Sequence, residues 1–68
     1  MFKIGDLVKI QEEYVPRDER GLTMLNWVGI VLSYRGRGGS SDQHSEWIIQ
    51  WSHIDRPSPE YGYYLEVI

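Results

Sequence analysis

The chain has 68 residues, 7 of them basic and 10 acidic for a net charge of −3, and none is cysteine. One small domain fits that length, which excludes enzymes built around a large buried cofactor. Disulfides and thiolate-bound zinc are excluded as supports of the fold, and the acidic balance argues against generic duplex binding, which scales with the phosphates neutralised.

Alanine is absent, whereas Val, Ile, Thr, Tyr, Phe and Trp supply 22 residues, the types that suit a pleated, half-buried surface. An all-β domain is therefore expected. The first six residues reach an acid at once with no long apolar run, so no signal peptide is read there. The longest apolar stretch, residues 27–32, falls far short of the roughly 20 that a membrane span needs. A soluble cytoplasmic protein with no membrane partner is the expectation.

In chain order, residues 3–10 read as a strand that starts after a Gly5-Asp6 turn, with Ile4, Val8 and Ile10 facing inward and Lys9 facing water. Leu7 takes the opposite face. Residues 11–26 form a long, charged connector broken by Pro16 and Gly21, in which a helix of any length is not expected. Connectors of this length fold back on the domain or bind something. Tyr14, Val15, Leu22, Met24 and Leu25 offer the apolar contacts for folding back.

Residues 27–34 are apolar on both parities, so they read as a central strand whose inward face stays open, with Gly29 marking a bulge or bend. Residues 35–46 are a glycine- and serine-rich hairpin loop. In residues 47–52, Gln50 and Ser52 share one parity, which turns Trp47, Ile49 and Trp51 to the core, with Ile49 central and the indoles at the two rims. The connector 53–60 carries Pro57 and Pro59 and cannot pair as a central strand; residues 61–68 then form the last strand. Four clear strands, plus a short piece in a connector, must curl to bury anything. The expected architecture is a small half-open barrel of about five strands, with its terminal strands side by side.

Gly5-Asp6-Leu7-Val8, Gly29-Ile30-Val31, Ile49-Gln50-Trp51 and Leu65-Glu66-Val67-Ile68 together resemble the pattern of small SH3-like barrel proteins of tailed bacteriophages, including those of cyanobacteria. The resemblance implies a stand-alone SH3-like barrel spanning residues 1–68, of phage or bacterial origin, without enzymatic activity and, if phage-encoded, working in the host cytoplasm. The chain departs from proline-binding SH3 domains: it lacks their Ala-Leu-Tyr-Asp-Tyr run and their Trp-Trp pair, and Ser58-Pro59-Glu60-Tyr61 alone is similar to their final Pro and Tyr positions.

No chemistry-bearing set converges in the sequence. Glu12 with Glu13 and Asp18 with Glu19 are adjacent acids in a charged connector, where neighbouring side chains diverge and the ordinary role is solvation. His44 and His53 lack the further ligands that zinc requires, and no serine sits in a nucleophile elbow. No catalytic residue, metal or cofactor is expected.

Two binding features remain. Aromatics make up 13% of the chain, more than a small core absorbs, and Tyr14, Tyr61, Tyr63 and Tyr64, together with Arg20, are the candidate contact residues for another protein, of host or phage. The segment Arg35-Gly36-Arg37-Gly38-Gly39 is locally basic, so Arg35 and Arg37 with Trp47 form an alternative nucleic-acid site. A homo-oligomeric virion or assembly component joined through exposed strand edges is a further alternative.

Overall fold

A computed structural model describes residues 2–36 and 45–68. Strands β1 (Leu7–Ile10), β2 (Gly29–Gly36), β3 (Glu46–Trp51), β4 (Ser58–Tyr61) and β5 (Leu65–Val67) form one antiparallel sheet in the order β4-β3-β2-β1-β5. The protein is all-β, as its composition predicts. No helix among the described residues is long and apolar enough to cross a membrane.

The strand order forces curvature. Strands β4 and β5 occupy opposite edges yet are joined only by a 3-10 turn, Gly62–Tyr64. Five flat strands at about 4.8 Å spacing would set those edges about 19 Å apart. The four peptide links from Tyr61 to Leu65 reach about 14 Å even when extended, and a 3-10 turn shortens that reach. The sheet must therefore roll its edges together, giving the half-open barrel. The terminal strands lie side by side as expected, with Val8 opposite Val67 and Ile10 opposite Leu65.

Strand β1 starts later than predicted. A turn over Lys3 to Asp6 is held by the Lys3 N–H donating to Asp6 Oδ2 at 2.8 Å, and Gly5 takes a φ of +94° that other residues rarely adopt. The turn swings Ile4 out of the inward face and leaves it 72% exposed, which corrects its expected place beside Val8 and Ile10.

The open parity of β2 resolves to Gly29 and Val31 facing inward. Gly29 marks a close approach, since a Cβ there would lie 2.5 Å from Ile49 Cγ2 and 2.9 Å from Trp51 Cε3. The irregularities fall further on, between Val31 and Ser33 and between Tyr34 and Gly36. The alternation read in β3 holds: Trp47, Ile49 and Trp51 are buried, and with Val8, Ile10, Val15, Val31 and Leu65 they make the core.

Two connectors differ from expectation. Residues 11–26 contain a 3-10 turn, Glu12–Tyr14, and a short helix, α1 (Glu19–Met24). The helix forms because Pro16 precedes it rather than interrupting it, and because the Asp18 side chain caps it by accepting from the Arg20 and Gly21 N–H groups. Gly21 is no breaker either; a Cβ there would overlap the Pro16 carbonyl oxygen, so glycine is what lets α1 lie against the preceding turn. Val15 and Met24 reach the core, while Leu22 and Leu25 stay exposed.

The expected last strand, residues 61–68, is cut in two. Tyr61 closes β4, the Gly62–Tyr64 turn crosses the barrel, and only Leu65–Val67 pairs with β1. The short fifth strand is β4, and Pro59 is tolerated there because β4 is an edge.

Candidate functional site

The two tyrosine-bearing segments meet through a backbone clamp. Gln11 follows β1, and its N–H donates to the Tyr64 carbonyl at 2.8 Å. Its side-chain Nε2 donates to the carbonyls of Tyr63 and Leu65, each at 3.1 Å. The bonds to Tyr63 and Tyr64 satisfy carbonyls that the 3-10 turn leaves free, and all three fix the Gly62–Tyr64 turn against the start of the long connector. Tyr14, three residues beyond Gln11, is thereby set against Tyr63.

Their rings meet edge to face at 5.5 Å, Tyr61 stacks beside Tyr63 at 5.8 Å, and Tyr64 meets Tyr63 edge-on at 5.1 Å. Tyr14, Tyr61 and Tyr63 remain 46%, 46% and 41% exposed. Four of the five partner-contact candidates thus form one continuous aromatic surface. Arg20 does not join it: its guanidinium folds onto Asp18, with Nη2 at 3.0 Å from Oδ2.

Behind these rings a cavity of about 300 Å³ is lined by Tyr14, Trp27, Tyr63 and Tyr64 together with Met24 and Glu60. Trp27 arrives from the chain just before β2, packing on Trp51 at 5.7 Å and on His53 at 4.4 Å. Glu60 lies on β4, partly buried, and ties the cavity to the core. Its Oε2 accepts from Trp51 Nε1 at 2.8 Å and from Ser58 Oγ at 3.0 Å, while Oε1 accepts from the Tyr64 hydroxyl. Burial, and then the bond to Glu60 and its charge, push the Tyr64 phenol above its ordinary value. Tyr64 therefore serves as a fixed hydrogen-bond donor.

Sequence reading missed Glu60, Gln11 and Trp27 as members of this site. Glu60 carried a partial signal: it is an acid placed directly before Tyr61 and the Tyr63-Tyr64 pair. Gln11 carried none, because its partners lie in a distant segment.

Of the nucleic-acid set, the structure describes Arg35 and Trp47. Arg35 is drawn to Glu46, with Nε 3.7 Å from Oε2, and Arg37 lies outside the described residues. Trp47 is buried between Phe2 and Tyr34, at 5.5 and 4.8 Å, and presents no free face for a base. His44 also lies outside the described residues, and among those described no group of His, Asp or Glu is disposed to hold a metal ion.

Comparison with protein-family models, with curated proteins and with solved structures returned no match, so the functional reading stands on the geometry.

Proposed function

We propose that this protein is a non-catalytic protein-interaction module, and that its contact surface is the aromatic groove of Tyr14, Tyr61, Tyr63 and Tyr64. The observation that carries the reading is the cluster of half-exposed rings assembled from two segments at opposite ends of the chain. Aromatic side chains give large, rigid contact areas at small entropic cost and are enriched at interface cores. A small domain that needed these rings only for packing would bury them. The resemblance to phage barrel proteins supports a host or phage protein as the partner and the host cytoplasm as the setting.

A photo-crosslinking amino acid tests the surface directly. Placed at Tyr61, it is expected to trap a partner of defined mass in the host cell, while the same probe at Lys9, on the outer side of β1, traps none. Equal adducts from both positions, or none from either, would remove the reading.

A further inference from the structure

We propose that the cavity behind the groove, lined by Tyr14, Trp27, Tyr63 and Tyr64, seats an arginine side chain presented by a basic segment of the partner protein. This deepens the interaction-module reading and rests on it.

Three observations lead there. The cavity is lined mainly by π systems, those of Tyr14, Trp27, Tyr63 and Tyr64. Ring faces carry the negative part of the aromatic quadrupole and attract cations, arginine more often than lysine, because a planar, weakly hydrated guanidinium can stack. The volume of about 300 Å³ lies at the small end of ligand pockets, a size for one side chain rather than a folded element.

The carboxylates supply the second observation. Asp18, Glu46 and Glu66 are each matched by a cation within the chain: Arg20 at 3.0 Å, Arg35 at 3.7 Å and Lys9 at 3.4 Å. Glu60, which lines the cavity, is met only by neutral donors, and no cation among the described residues pairs with it. Its charge is oriented by three hydrogen bonds and left uncompensated. A partly buried anion beside aromatic faces favours a positive guest over a neutral one.

The surroundings extend the same preference. Glu12 and Glu13 share a 3-10 turn with Tyr14, are exposed, and have no ion pair among the described residues. They also line, with Asp18 and with the single cation Arg17, an open cleft of about 810 Å³, so acids outnumber bases there. With a net charge of −3, the chain favours approach by a basic segment, and residues flanking the seated arginine would meet these acids.

The test titrates the full chain, followed by backbone-amide and aromatic-ring NMR, with a capped nonapeptide, Gly-Ser-Lys-Gly-Arg-Gly-Lys-Ser-Gly, and with the same peptide carrying citrulline for arginine. Citrulline keeps the shape and removes the charge. The arginine peptide is expected to shift the Tyr14, Trp27, Tyr63 and Tyr64 resonances, and to bind roughly tenfold more tightly than the citrulline peptide. The exposed double substitution Glu12→Gln/Glu13→Gln should weaken the arginine peptide about threefold without changing the melting temperature.

Equal binding of both peptides at these rings overturns the arginine seat while leaving the aromatic surface as a contact site. Shifts confined to other residues, or none with either peptide, overturn the seat as well. The crosslink from Tyr61 then decides the module reading on its own.

Discussion

Two aromatic clusters share this small barrel and are treated in opposite ways. Under the sheet, Trp47 and Trp51 flank Ile49, and all three are buried, with Ile49 fully so. At the mouth, Tyr14 and Tyr61 each meet Tyr63 through ring contacts of similar length, yet all three stay nearly half exposed. The inner set is enclosed by both halves of the sheet, so its contacts are paid for by folding. The outer set is held in place by the Gln11 clamp and by the contact of Tyr63 with Tyr64, which Glu60 anchors, and it stays partly open to solvent. Ring-to-ring contact alone therefore does not separate the core from the open cluster; what separates them is how much of each ring the rest of the fold covers.

Substitutions that act on one cluster and spare the other test this contrast. Ile49→Ala removes a fully buried side chain from the centre of β3, and a loss of about 3 kcal/mol in unfolding free energy is expected. Tyr61→Ser, on the exposed side of an edge strand, should cost about 1 kcal/mol or less, because little beyond its stacking on Tyr63 is lost. Urea unfolding of both variants measures the difference. A Tyr61→Ser loss as large as that of Ile49→Ala would mean that the tyrosines are structural.

The next effect sharpens the inner half of the contrast. Gly29→Ala adds one methyl group where Ile49 Cγ2 would lie 2.5 Å away and Trp51 Cε3 2.9 Å away. Neither neighbour can retreat, since both are packed in the core, so β2 must lift away from β3. About 2 kcal/mol of destabilisation is expected, seen as a lower urea midpoint with an unchanged slope. An unchanged midpoint would show that the two strands have room to move apart.

Which cluster a ring joins was only half legible in the sequence. The inward set of β3 could be read because Gln50 and Ser52 mark the wet parity of a strand whose other residues are apolar. A surplus of tyrosines could be counted, but not their meeting, since Tyr14 and Tyr63 are joined by hydrogen bonds from Gln11 to backbone carbonyls, which any residue type possesses. The division of residues 61–68 was illegible for a topological reason. Their alternation suits a continuous strand, and only the need to carry the chain between opposite edges of a rolled sheet breaks it at Gly62–Tyr64. The helix is hard to read for a different reason: Asp18, two residues after Pro16, is a start signal, but a proline and a glycine read as breakers unless their place relative to the helix start is known.

That start signal yields the smallest effect, and it bears on the helix whose Met24 lines the cavity behind the tyrosines. Asp18 caps α1, and the Arg20 guanidinium beside it, aided by the N–H groups of Gly21 and Arg20, holds its carboxyl below the ordinary value. A carboxyl lowered in the folded state adds stability above its unfolded pKa and loses it as pH falls through the folded one. Asp18→Ala should therefore be slightly less stable than the natural chain at neutral pH, and the gap should close as the solution is acidified below the usual carboxylate range. Because the Asp18–Arg20 pair is solvent-exposed, screening keeps the gap small, and added salt should shrink the part contributed by Arg20. Paired urea titrations across acidic and neutral pH measure it. A gap that persists unchanged in acid would assign the contribution of Asp18 to the shape of the turn rather than to its charge, and would leave α1 held by Gly21 and its fit against Pro16.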